Sequence, residues 1–195
     1  MCVIAASPAG CRQPTDAELR AMWDANPHGA GCMVARNGKV EIHKGFMTFL
    51  DFALSVVQEC FTDADPVVYH FRISTQAGIN PEMTHPFPLT ANKELHQKLD
   101  LTCHVGIAHN GIISLTADRS ERTYSDTSLF IAQYMTKIIK RRKDLDDADK
   151  LETIYLLAQS KFCFLTGDGQ IRTIGNFTER DGILVSNDIW NYYIM

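Results

Sequence analysis

The chain has 195 residues and a mass of 21.9 kDa, the size of one large domain, so a single domain over 1–195 is expected. A formal net charge of -4 and a pI near 5.9 argue against nucleic acid as the main partner, because phosphate binding needs a basic face. Hydrophobic content of 45% against 22% charged residues, with apolar runs far shorter than a membrane span, leads us to expect a soluble chain without membrane partners. The start has no basic region followed by a long apolar stretch, so a cytoplasmic location is expected.

In chain order, residues 2–6 read as a short buried strand, followed by a loop through Pro8, Gly10 and Pro14. The run from Thr15 to Glu18 has the capping-box pattern, and the helix it opens reaches about Asn26 with Leu19, Met22 and Trp23 on one side. A glycine-punctuated turn, Asn26 to Gly31, leads into two apolar runs separated by Asn37-Gly38. That dipeptide predicts a hairpin, since both central residues of a type I′ turn need positive φ. Phe46, Leu50, Ala53, Leu54, Val57 and Phe61 recur at helical spacing and predict a helix over 47–61.

Residues 67–73 read as a strand with Val68, His70 and Arg72 on one face and Val67, Tyr69, Phe71 and Ile73 on the other. Residues 74–90, with Gly78, Pro81, Pro86 and Pro88, fit neither period and are expected as a long loop, a place where function concentrates. After a short polar helix near 92–99, residues 102–108 read as a buried strand running into His109-Asn110-Gly111. Ser125 or Asp126 opens the longest predicted helix, with a stripe from Phe130 to Ile139. Its basic end, Lys140 to Lys143, suits the helix dipole. A second helix over 148–159, a hairpin through Gly167-Asp168-Gly169, and strands at 183–186 and 190–194 complete the chain. Strands in hairpins at both ends, with helices in blocks between, favour antiparallel sheet over a parallel βαβ fold.

The six cysteines form no C-x-x-C pair and the seven histidines no H-x-x-x-H pair, so no metal and no cofactor are expected. Cys32, Cys60, Cys103 and Cys163 lie in apolar segments and read as buried free thiols. Cys2 is different. An initiator Met before a small residue is normally trimmed, which would leave a thiol and a free α-amine on one residue. A thiol of pKa about 8.5 beside an amine of about 7.7–8.0 is a nucleophile with its own base attached. Standing alone, a Met-Cys start is no more than a small residue opening a strand; three later stretches give it company.

Met1-Cys2, the glycine turn from Asn26 to Gly31, His70-Phe-Arg-Ile-Ser-Thr75 running on to Thr84-His-Pro-Phe87, and His109-Asn-Gly111 followed by Ser125-Asp-Thr127 form an ordered set. Together they resemble the class II glutamine amidotransferases, the glutaminase branch of the N-terminal-nucleophile hydrolases. The resemblance covers most of the chain to about residue 135, with Val185-Ser186 a weaker later match. It implies an α+β fold, a four-layer αββα sandwich of two mainly antiparallel sheets with helices outside, and attack of the Cys2 thiolate on the γ-amide of glutamine or a γ-glutamyl compound.

By the same resemblance, Asn110 side-chain N–H and Gly111 backbone N–H are the oxyanion donors, Arg72 clamps the substrate carboxylate and Asp126 accepts from its ammonium group. Thr75 and His85 fall at pocket-lining positions. The residues also admit plainer readings: a turn for Asn110-Gly111, a surface ion pair for Arg72, and a helix N-cap for Asp126. His28, Ile73, Gln76 and Ser128 depart from residues common in the family and leave substrate selection open. With no residues left for a synthase domain, the enzyme reading divides between a glutaminase serving a separate ammonia-accepting synthase subunit and a free-standing γ-glutamyl amidohydrolase. A binding or regulatory module that keeps the fold without turnover is the competing class.

Overall fold

The computed structural model describes residues 1–73, 78–116 and 123–187. Thr75 and the expected closing strand over 190–194 lie outside the described residues. In chain order the elements are β1 (Val3–Ser7), α1 (Asp16–Ala25), β2 (Ala30–Arg36), β3 (Lys39–Phe46), α2 (Phe49–Glu59), β4 (Val67–Phe71), β5 (Phe87–Pro88), α3 (Lys93–His96), β6 (Asp100–Cys103) and β7 (Val105–Asn110). They continue with α4 (Asp126–Phe130), α5 (Thr136–Ile138), α6 (Ala148–Ala158), β8 (Lys161–Thr166), β9 (Ile171–Ile174), β10 (Thr178–Arg180) and β11 (Ile183–Val185).

Local chemistry sets several of these boundaries. Thr15 Oγ1 accepts from the Glu18 N–H while the Glu18 carboxylate accepts from the Thr15 N–H, so the expected capping box is formed and α1 begins where it should. Arg12 pairs with both oxygens of that same carboxylate at 2.7 and 2.8 Å. The β2–β3 hairpin turns on Asn37 and Gly38 with φ of 52° and 74°, as a type I′ turn needs.

The strands form two antiparallel sheets, one of seven in the order β10-β11-β1-β4-β2-β3-β6 and one of four in the order β5-β7-β8-β9. The chain is therefore α+β, with few helices. Alternation along the strands sorts its apolar side chains. Val67, Tyr69 and Phe71 of β4 pack with Leu19, Met22 and Trp23 of α1 and Phe52 of α2. Val68, on the opposite face, joins Ile4, Ala6, Met33 and Ile42 against Ala108, Cys163 and Leu165 of the four-stranded sheet. Ile107, Phe162 and Phe164 form a third cluster with Phe130, Ile131, Met135 and Ile154. Each fully buried side chain of this size contributes roughly 1.5–3 kcal/mol.

Three expectations need correction. Residues 102–108 are not one strand: Thr102 and Cys103 end β6 on the edge of the seven-stranded sheet, and the chain crosses at His104 into β7 of the other sheet. Two apolar runs in immediate succession hide a change of sheet, because each obeys the same alternation. The long helix from Asp126 is also interrupted, widening into a π-turn over Ile131–Met135 before α5. Its apolar stripe stays continuous, with Phe130, Ile131, Met135 and Ile139 all in one cluster. All six cysteines are free, and Cys32 and Cys163 are buried as expected, but Cys103 is only half-buried and Cys60 is exposed, holding the left-handed position that ends α2. Among the described residues, no helix is long and apolar enough to cross a membrane.

Because the Thr15 hydroxyl satisfies an otherwise unpaired N–H, Thr15→Ala is expected to cost about 1 kcal/mol. Thermal unfolding should then show a midpoint roughly 2–4 °C lower.

Candidate active site

Cys2 lies one residue before β1, where Val3 pairs with Phe71 of β4. This register sets Cys2 beside the residues that continue β4. The Cys2 sulfur accepts the Ile73 N–H at 3.4 Å, and its thiol points at the Ile73 carbonyl at 3.7 Å. Burial pushes the thiol pKa up, against the opposing pull of the Ile73 N–H, the Arg72 guanidinium and the chain's terminal ammonium. Met1, which precedes it, is 75% exposed.

Arg72 is buried and structurally fixed through its backbone: its N–H donates to Gly29 O at 2.8 Å and its carbonyl accepts from His28 N–H at 3.0 Å. The glycine turn is thereby pinned to the end of β4. Glycine is required there, since a Cβ on Gly31 would come within 2.3 Å of His85 O, and on Gly29 (φ +116°) within 2.6 Å of Thr84 Cγ2. Burial lowers the Arg72 pKa, while Cys2 and Asp126 act on it in the opposite sense. Residues 2, 72 and 126 thus share one electrostatic neighbourhood.

Asp126 is the first residue of α4, and the N-cap is Ser125, whose Oγ accepts the Ser128 N–H at 3.1 Å. The Asp126 carboxylate instead accepts from Ile113 N–H and Thr127 N–H, both at 2.8 Å. A carboxylate has about four acceptor positions, so capacity for a further donor remains.

Asn110 ends β7. Its Nδ2 donates to Ser186 Oγ at 2.9 Å and to Asn187 Oδ1 at 2.7 Å, and Asn187 Nδ2 donates to the Cys2 carbonyl at 2.7 Å. The Cys2 carbonyl can only accept, so it fixes which way the Asn187 amide faces, and Asn187 then fixes Asn110. Both N–H hydrogens of Asn110 are consequently engaged, and its Oδ1 is buried with no partner among the described residues. Gly111 has φ +152°, and a Cβ there would lie 2.4 Å from Ser160 Oγ. Asn37-Gly38 is a different case, because a Cβ on Gly38 would meet nothing within 4 Å. The second Asn-Gly is built into packed structure rather than a free turn.

His85, expected to line the pocket, is buried with its ring 4.4 Å from that of His70 and 4.6 Å from Phe87. Neither of its ring nitrogens has a hydrogen-bond partner among the described residues. His70 Nε2 bonds to the His109 carbonyl at 3.0 Å, and His109 Nδ1 to Thr127 Oγ1 at 2.8 Å. Burial lowers the pKa of His70 to about 3 and of His109 to about 4. The His85 pKa also falls well below the usual imidazole range, through burial and its cationic neighbours. Lys44 adjoins this group, donating to the carbonyls of Glu82, Thr84 and His96 at 2.9, 3.0 and 2.5 Å. It ties the loop before β5 to β3.

Hydrogen bonds through Asn187 join Cys2 to Asn110, Arg72 and Asp126 lie in the same electrostatic neighbourhood, Gly111 follows Asn110, and His85 sits in the adjoining histidine group, whereas Thr75 is outside the described residues. Reading the sequence missed Asn187 altogether and gave Ser186 no role. Val185-Ser186 is only a weak motif match and Asn187 lies beyond it, and the return of β11 alongside β1 is what brings both Ser186 and Asn187 to Cys2. Among the described residues, one set of metal-type donors lies within 4.8 Å: Glu41, His43 and Glu59. Arg36 pairs with Glu59 at 2.8 Å, and His43 Nδ1 lies 2.9 Å from the Asp100 carboxylate.

No protein-family model matches the chain, and no curated protein matches its sequence.

Two outcomes follow from the electrostatics. His70 and His109 have folded pKa values near 3 and 4, below the unfolded value of about 6.5, so the unfolded chain binds protons first. Stability should therefore fall as pH drops from about 6.5 toward 4, measurable as a declining denaturant midpoint. Arg72→Met removes a cation that favours the thiolate, so the Cys2 pKa should rise further. Iodoacetamide alkylation of Cys2 should then need higher pH than in the parent protein.

Proposed function

We propose that the chain is a cysteine-dependent amidohydrolase of the class II glutamine amidotransferase kind, acting on the γ-amide of glutamine or a γ-glutamyl compound. The observation that carries this reading is the connection of four residues remote in sequence. Cys2 is joined through Asn187 to Asn110, and its thiol lies in the field of the Arg72 guanidinium, on which the Asp126 carboxylate also acts. A nucleophile, an amide donor, a guanidinium and a carboxylate are what hydrolysis of an amino-acid side-chain amide requires. In this reading the fold is the four-layer αββα sandwich. One apolar cluster drawing on both sheets, and two that each join a sheet to helices, support it.

In the proposed reaction, the chain with Met1 removed uses its own neutral α-amine to take the Cys2 thiol proton. Burial keeps the thiol protonated at neutral pH, so a base is needed. The thiolate attacks the amide carbon, and the oxyanion is held by the Gly111 N–H and the Asn110 carboxamide. The amine returns its proton to the leaving nitrogen, releasing ammonia or amine, and water cleaves the γ-glutamyl thioester. Arg72 binds the substrate carboxylate and Asp126 its ammonium group. The ammonia then serves a separate synthase subunit, or is simply released, in a cytoplasmic setting.

The test is ammonia release from glutamine and γ-glutamyl amides, with intact mass verifying loss of Met1. Cys2→Ala should abolish turnover while preserving folding, and Asn110→Ala should lower kcat roughly a hundredfold, as loss of one oxyanion donor does. Full activity in processed Cys2→Ala protein would overturn the mechanism.

A further inference from the structure

The Asn110 carboxamide has two N–H hydrogens, and both are already committed, one to Ser186 Oγ at 2.9 Å and one to Asn187 Oδ1 at 2.7 Å. An oxyanion that takes a hydrogen bond from Asn110 must replace one of these acceptors. The two are not equally held. Ser186 is fixed at three further points: its Oγ accepts Ile4 N–H at 2.9 Å, its N–H donates to Ile4 O at 3.0 Å, and its carbonyl accepts Lys161 Nζ at 2.5 Å. Among the described residues, Asn187 has one other side-chain bond, from its Nδ2 to the Cys2 carbonyl at 2.7 Å.

From this asymmetry we infer that Asn187 is a positioning residue that occupies the oxyanion donor of Asn110 in the resting site and yields it when the tetrahedral intermediate forms. The inference rests on the proposed glutaminase reading. Its consequence is specific. A contact present at rest and lost in the transition state opposes catalysis, so removing the acceptor at 187 should favour the transition state over the ground state. The bond from Asn187 to the Cys2 carbonyl exists in both states and cancels in a comparison of the two. Asn187→Leu removes the acceptor, whereas Asn187→Asp keeps it and adds charge, which strengthens its hold on Asn110; both variants lose the N–H given to the Cys2 carbonyl, so that loss is common to the two.

The experiment uses processed full-length protein and two measurements: KM for glutamine, and inhibition by glutamate γ-semialdehyde. The aldehyde carbon is attacked by the Cys2 thiolate to give a thiohemiacetal whose oxygen stands in for the oxyanion. Relative to KM, Asn187→Leu should bind the aldehyde about two- to tenfold more tightly, the size of one hydrogen bond. Asn187→Asp should bind it more weakly than the parent. Unchanged or weaker aldehyde affinity in Asn187→Leu overturns the inference. If that variant does not fold, Asn187→Asp decides alone, with affinity equal to or above the parent overturning it. If the parent neither hydrolyses glutamine or a γ-glutamyl amide nor forms the Cys2 adduct, the functional reading fails instead.

Discussion

Strand β1 is paired on both edges, with β11 on one side and β4 on the other, and the arrangement of the site depends on that double pairing. A five-residue strand with every position buried cannot shift its register without moving its whole side-chain set to the wrong face. Its start is therefore a fixed point. β4 delivers Arg72 and Ile73 beside Cys2, and β11 delivers Ser186 and Asn187. Asn110, at the end of β7 in the other sheet, is joined to this end of β1 through side chains. Backbone pairing places Cys2, and a chain of carboxamides and a hydroxyl ties the second sheet to it.

The polar residues next to the site are held in a way that keeps them uncharged or locked. His70, His85 and His109 are buried, and Arg72 and Lys44 act on His70 and His85, so protonating any of the three would put a charge in a poorly solvated region. Lys44 is tolerated because three carbonyl oxygens accept its hydrogens and the Phe87 ring lies 4.0 Å from its nitrogen. That one ammonium group holds the loop from Glu82 to Thr84, and with it His85, in a fixed position. Where the glycine turn meets this loop, the backbones approach too closely for any side chain.

What could be read from the sequence followed from rules that act over a few residues. The capping box at Thr15, the Asn37-Gly38 hairpin and the two faces of β4 are local consequences of side-chain chemistry and of the strand period, and the structure has them. The antiparallel character of both sheets was legible from the hairpin pattern for the same reason. The crossing at His104 was not, because two adjacent strands in different sheets keep the same alternation. The π-turn within the helix after Asp126 left the apolar stripe unbroken and so left no trace in it.

At the site, the resemblance carried by the ordered motifs singled out Cys2, Arg72, Asn110 and Asp126, whose thiol, guanidinium, carboxamide and carboxylate suit the roles that resemblance implies. Sequence could not decide which of two functions a residue performs when both use the same atoms. Tertiary structure assigned the N-cap of α4 to Ser125 rather than Asp126, and showed Asn110-Gly111 packed where Asn37-Gly38 is open. It alone brought Asn187 to Asn110 across 77 positions, because hydrogen bonds between side chains that far apart depend on which strands lie side by side, and no local pattern records that.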